Sequence, residues 1–233
     1  MISPQDRKKI SFSFLPSHNA EMKKYEEVYH TYTNTGYTNE LCEQYANAFI
    51  HDVKKPEPID IIQLAALYAK MHDQKTAYFY LEQLKEKKMS SPEKFLFCIE
   101  TLKALSLQGK WHNAVDFRTD NINFMQNYSE KVSIRQKADM YIALALTDCA
   151  AKKYEQALKL LKFGYKPQGR NDTKLLEIFI TAVYIFAKAE DEEGLEGALE
   201  NAGNCISLFS RFDFSWGKEY YKQRIEDASN GIF

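Results

Sequence analysis

Five histidines and four cysteines are the side chains of this sequence best suited to metal or nucleophilic chemistry, and their spacing works against both. A zinc site built from histidine needs at least two imidazoles on one face, as in H-E-x-x-H. His18, His30, His51, His72 and His112 stand in separate segments without such a neighbour, so each reads as a surface or turn histidine. Cys42, Cys98, Cys149 and Cys205 are more than 50 residues apart and each sits in an apolar helical pattern. That spacing allows neither a zinc knuckle nor a C-x-x-C redox pair, and fits reduced core thiols of a cytoplasmic protein. Gly164 and Gly169 are not followed by Lys and Ser or Thr, so no phosphate-cradling loop is present, and no G-x-S-x-G elbow occurs. The acidic run Glu190-Asp191-Glu192-Glu193 opens a predicted helix, where carboxylates complement the dipole, and reads as capping. No catalytic residue, metal ligand or cofactor site is assigned, and a non-catalytic protein is expected.

Charge narrows the partners. Thirty-one basic side chains against 32 acidic ones leave a net charge of -1, so no global field attracts nucleic acid or an anionic membrane. Lys85-Glu86-Lys87-Lys88 and Lys152-Lys153 lie near predicted helix ends and form no long basic stripe. The longest apolar stretch, Ile59 to Ala69, is interrupted by Asp60 and Gln63 and falls short of the ~20 residues of a membrane span. Behind Arg7-Lys8-Lys9 stands only the short run Ile10 to Leu15, which does not make a secretory signal.

The elements that must position any site are helical. Nine glycines and six prolines are concentrated between apolar stretches of period 3.6, which fits helices and not a sheet with frequent turns. Tracking that period predicts five helix pairs: 19–34 with 38–52, 58–71 with 74–88, 92–108 with 111–127, 132–151 with 154–164, and 172–189 with 192–209. A last helix over 214–228 would cap the stack. Ser91 is the expected N-cap of the third pair, with Pro92 after it, and Gly164 to Asn171 is the expected long loop. Residues 1–18 lack the period and are expected to be extended or poorly ordered, with 19–233 forming one domain.

Set in register, the pairs repeat. Ile61, Leu64, Ala65 and Tyr68 precede Ala77, Leu81 and Leu84; Leu102 and Leu105 precede Gly109-Lys110-Trp111-His112-Asn113-Ala114. In the fourth pair, Tyr141, Leu144 and Ala145 precede Lys152-Lys153-Tyr154-Glu155-Gln156-Ala157. Small residues at Ala77, Ala114 and Ala157 let two backbones approach while the larger side chains fill the surrounding space. Leu41, Ala77, Ala114, Ala157 and Leu195 are separated by 36, 37, 43 and 38 residues. This pattern resembles the tetratricopeptide repeat, whose unit is about 34 residues. The repeats here are degenerate: Met89 stands where the repeat-terminal proline belongs, and Leu195 replaces a small residue.

The resemblance implies an all-α solenoid of paired helices, the first helix of each pair lining a concave face that binds a protein or peptide. Its lining slots fall on Ile62, Gln63, Ala66 and Lys70 in the second pair and on Ile99, Glu100 and Lys103 in the third. The fourth contributes Asp139, Ile142 and Leu146, and the fifth Glu177, Thr181, Tyr184 and Lys188. That surface reads as an apolar groove with isolated polar anchors, suited to an amphipathic helix or an extended peptide. Chaperone-binding members of the family grip a terminal carboxylate with Lys, Asn and Arg; Ile62 and Ala66 occupy slots where that cluster begins, so no such clamp is expected. The partner is expected to be a protein or peptide, a second copy of the chain included, and neither nucleic acid nor membrane. Asp172 to Ile225 is also similar to the end of peptide-sensing domains in Gram-positive regulators of the Rgg, PlcR and Rap type. Gly109 to Leu161 is similar to helical-repeat subunits of large complexes such as the proteasome lid.

Overall fold

A computed structural model describes Ala46, Phe49 and residues 55–165, 173–209 and 218–233. The expected segment 1–18, the first predicted pair apart from helical, buried Ala46 and Phe49, the slot of Leu41, and the loop residues 166–171 lie outside the described residues. Among the described residues every regular element is an α-helix: α1 (Pro58–Lys70), α2 (Gln74–Glu82), α3 (Ser91–Leu107), α4 (Trp111–Ser129), α5 (Ile134–Ala150), α6 (Tyr154–Tyr165), α7 (Thr173–Ala189), α8 (Glu192–Phe209) and α9 (Lys218–Ser229). They fall into two compact units, one ending at Lys94 and the other beginning at Phe95.

Four of the connections are built identically, and the chemistry of helix ends explains why. The residue just past each helix takes a left-handed conformation: His72 (φ 61°), Gly109 (φ 72°), Lys152 (φ 59°) and Glu190 (φ 56°). Its N–H bonds three residues back, to the carbonyls of Ala69, Ser106, Cys149 and Ala187 respectively. The next N–H reaches five back, from Asp73 to Tyr68, Lys110 to Leu105, Lys153 to Asp148 and Asp191 to Phe186, at 2.8–3.1 Å. Together these bonds satisfy carbonyls that a helix end otherwise leaves bare. The same residue then starts the following helix, its carbonyl accepting from Ala77, Ala114, Ala157 or Leu195. Asp73 and Asp191 add a side-chain cap, their Oδ1 atoms accepting from Thr76 and Gly194. The acidic run at 190–193 is thus a turn and a cap.

The small residues Ala77, Ala114 and Ala157 are buried. In the first unit Ile61, Leu64 and Ala65 of α1 are buried, as are Ala77, Leu81 and Leu84 after the turn, and Tyr68 stacks on Tyr80 at 5.6 Å. In the second, Ala114 and Ala157 are fully buried, Phe95 meets Tyr128 and Phe97 meets Phe117 across α3 and α4, and Tyr141 stacks on Phe163 across α5 and α6. At the fifth pair the close approach shifts by one residue. Leu195 is only partly buried, and a Cβ on Gly194 would collide with the Phe186 ring. Helix α7 is the hub of this unit, packing on α5, α6, α8 and α9.

Three boundaries differ from the sequence reading. Helix α2 ends at Glu82 instead of 88, because the bonds from Gln83 to Lys87 tighten to i→i+3 around buried Leu84 and leave the lysine run exposed. Ser90, not Ser91, starts α3; its backbone N–H and hydroxyl both bond Glu93 Oε2. Gly164 opens no loop. It is a buried helical residue whose missing side chain lets α6 approach Tyr141, Ala138 and Ile178, each 3.5–3.6 Å from where a Cβ would stand.

The recurring turn predicts opposite signs for two substitutions. A lysine at positive φ carries a steric cost that glycine lacks, while glycine adds freedom to the unfolded chain. Lys152→Gly should raise stability by about 0.5–1 kcal/mol, and Gly109→Ala, with open space around its Cβ, should lower it by about 1 kcal/mol. Urea unfolding of both variants checks this; equal signs would rule out a left-handed requirement at these positions.

Candidate interaction surface

The positions assigned to a concave face divide by burial. Ile62, Gln63, Ile99, Ile142, Leu146, Thr181 and Tyr184 are buried, Ala66, Lys70, Glu100, Lys103, Asp139 and Glu177 are half-buried, and Lys188 is exposed. The expected apolar groove with isolated polar anchors is therefore corrected. Its apolar members are core residues packed by neighbouring helices, and what remains accessible is mostly charged.

Two of those charged positions, Asp139 and Glu177, are drawn together in the second unit by a residue that the sequence reading did not single out, and Lys103 and Glu100 pair close to them. Lys174, in the first turn of α7 and 5% exposed, donates at 2.6 Å to Asp139 Oδ1 of α5 and to Glu177 on its own helix. On α3, Lys103 donates to Glu100 at 3.0 Å. The two lysines sense one another, and Asp139 attracts both. Three helices, α3, α5 and α7, thus share one cluster of two ammonium and three carboxylate groups. Burial disfavours the Lys174 ammonium, yet the attraction of Asp139 and Glu177 and their hydrogen bonds outweigh it, so its pKa is raised. Lys103 behaves likewise: burial lowers its pKa, Glu100 and Asp139 raise it, and the net direction is up. Both lysines are charged at any physiological pH.

A signal for Lys174 was present in the sequence. A cation in a helix's first turn opposes the helix dipole, a mild cost that a carboxylate partner offsets. Polar links continue beside the cluster. Ser106 of α3 donates to Thr147 of α5 at 3.1 Å, Thr147 donates to the Ala143 carbonyl, and Arg118 of α4 meets buried Asp148 at 2.6 Å.

At the other end of α7, Tyr184 is held edge to face by Phe233, with ring centroids 5.2 Å apart, and Lys188 lies over the Tyr184 ring at 5.5 Å. Desolvation pushes the Tyr184 hydroxyl up to about 12 and the Cys149 thiol up to about 11. A thiol so raised is a poor nucleophile. His72 and His112 are both exposed. Among the described residues no group of three His, Cys, Asp or Glu could hold a metal ion, and no helix is long and apolar enough to cross a membrane. Comparison with protein-family models, curated proteins and solved structures finds no match for this chain.

Two predictions follow from the charges. Lys174→Met leaves two carboxylates facing each other without their cation, and should cost about 3 kcal/mol, the low end for a broken buried pair, since Asp139 and Glu177 keep a solvent edge. Adding Asp139→Leu and Glu177→Leu should recover most of that loss in the same urea titration; a single variant as stable as the parent would show the cluster to be inert. The second concerns Cys149. Its acid is raised on folding, so the stability it contributes is intact below its ordinary value of 9.0 and is lost as pH climbs toward 11. At pH 8 iodoacetamide should leave Cys149 unlabelled in the folded chain while labelling it fully in urea, as read by peptide mass spectrometry.

Proposed function

We propose that the chain is a tetratricopeptide-like solenoid of antiparallel helix pairs that works as a non-catalytic binding scaffold, with the partner seated along the first helices of successive pairs. The observation that carries this reading is the recurrence of one turn geometry at His72, Gly109, Lys152 and Glu190, spaced 37, 43 and 38 residues apart, the spacing of the small-residue register itself. A repeated turn produces a repeated unit, and repeated units present equivalent faces. The charged cluster supports the same reading, because Glu100, Lys103, Asp139 and Glu177 come from three successive first helices and meet in the second unit.

The partner implied by this surface is a polar protein or peptide segment, not the apolar face of an amphipathic helix. Charged anchors in partly exposed positions set register and orientation, and such binding weakens with salt. No metal, cofactor or nucleic acid is required.

Photo-crosslinking tests the face without disturbing the core. With p-benzoylphenylalanine at exposed Lys188 of α7, the partner should be captured and the yield should fall as salt rises. The same probe at exposed Glu155 of α6 or Glu200 of α8, on second helices of their pairs, should capture none. Capture from Glu155 and Glu200 with none from Lys188 would reverse the assignment of the binding face.

A further inference from the structure

The outward faces of α6 and α8, second helices of their pairs, carry opposite charge. Between Lys152 and Tyr165 the exposed side chains include Lys152, Lys153, Lys159 and Lys162, and the one acid there is Glu155. Phe163 stands beside them, stacked on Tyr141 at 5.7 Å and still 58% exposed. From Glu190 to Phe209 there are six acids, Glu190, Asp191, Glu192, Glu193, Glu196 and Glu200, all exposed, and no Lys, Arg or His. Capping accounts for the first four, at the turn and in the first turn of α8, but does not reach Glu196 or Glu200.

Two glycines lie on the same outward face of α8. Glu193, Glu196, Glu200 and Gly203 follow one another at helical spacing, with Gly197 beside them, and both glycines are exposed. Glycine inside a helix is less favourable than alanine, and is needed only where the backbone turns left-handed or a neighbour comes close. Neither Gly197 nor Gly203 has a positive φ, and nothing packs within 4 Å of where a Cβ on either would stand, whereas Gly194 is covered by the Phe186 ring. The packing of the chain gives no reason for these two glycines; close approach of another molecule does.

We propose that the α6 face of one copy docks on the α8 face of a second copy, Lys159 and Lys162 meeting Glu193, Glu196 and Glu200, with Gly197 and Gly203 letting the helices approach and Phe163 filling the space between them. The occupant is a second copy because both halves of the contact stand on one chain, a cationic α6 and an α8 without a cation. A net charge of -1 leaves almost no overall repulsion between copies to oppose it. In a two-fold pair each copy uses both faces, so the contact is made twice. This inference goes beyond the scaffold reading and is independent of it, since it engages second helices and leaves the first helices open. Attraction between exposed charges is screened by salt, so the pair forms at high chain concentration and low ionic strength.

Sedimentation velocity on the full chain tests this, with circular dichroism to confirm that each variant is folded. The parent should associate as its concentration rises in low salt and dissociate at about 0.5 M NaCl. Lys159→Glu with Lys162→Glu, and separately Glu196→Lys with Glu200→Lys, should each self-associate roughly tenfold or more weakly, and an equimolar mixture of the two variants should pair again, because reversed α6 then meets reversed α8. Gly197→Gln with Gly203→Gln should also weaken the pair roughly tenfold while leaving the chain at least as resistant to urea, since glutamine is the better helix former. A parent that stays monomeric at every concentration in low salt overturns the proposal, and so does association unchanged by salt or by the reversals, or a mixture that fails to pair. A chain-to-chain adduct from the photo-crosslinking probes at Glu155 or Glu200 has the mass of two chains and would support this contact; it is distinct from capture of another protein, and partner capture from Lys188 is unaffected by either result.

Discussion

The constraint on which this fold depends is that one residue must end a helix and the next must begin another. Asp73, Lys110, Lys153 and Asp191 each donate back into the finished helix and accept from the fourth residue of the new one. Only a left-handed residue immediately before them gives that geometry, which is why His72, Lys152 and Glu190 accept a conformation that L-residues with a Cβ avoid. With the turn so short, the following helix has no slack, and its fifth residue after the left-handed position falls at the same height each time. A small side chain there, Ala77, Ala114 or Ala157, is then required by backbone proximity. Where Leu195 occupies that position the chain finds another solution, with Gly194 beneath the Phe186 ring.

Once packed in this way, the first helices of the second unit bring like and unlike charges into the interior. Removing an ion pair from water is costly, and the attraction between partners offsets that cost only when geometry and further hydrogen bonds are good. Lys174 meets the condition with two carboxylates, and Lys103 with Glu100 at 3.0 Å and Asp139 nearby. The cluster is therefore better understood as a device for register than as a source of stability. If α7 slid by one residue against α5, Lys174 would lose Asp139 and be left buried beside Glu177 alone, an arrangement far more costly than the same slip between apolar surfaces. The hydroxyl bond from Ser106 to Thr147 adds the same kind of specificity between α3 and α5.

How much of this was legible in the sequence follows from which interactions are local. Helix periods and turn residues are encoded within a few positions, so α1 and α3 to α8 fall within a residue or two of their expected bounds. Failures occurred where a local rule had a competitor. Gly164 reads as a breaker by composition but serves tertiary packing, and the lysine run after Glu82 carries helix-forming residues yet tightens around Leu84. The candidate surface was legible only by register. Periodicity places Ile142, Leu146, Thr181 and Tyr184 on one side of their helices, but the sequence does not say that a neighbouring helix would cover that side. The Lys174–Glu177 pair was legible as an i,i+3 spacing on one helix, but nothing local names Asp139, 35 residues away, as the second partner.

On the scaffold reading proposed above, burial of the apolar lining changes the kind of recognition the surface would perform. An open apolar groove would draw its affinity from desolvation and would accept many amphipathic segments. The accessible lining positions are mostly charged, so on the proposed reading the free energy of binding would come from charged contacts more than from apolar area. Charged groups already paired inside the protein give up little when a partner arrives, so they discriminate more than they attract: a segment with misplaced charge is rejected, while a matching one gains modestly. On the proposed scaffold reading, such a surface would give selectivity with moderate, salt-sensitive affinity.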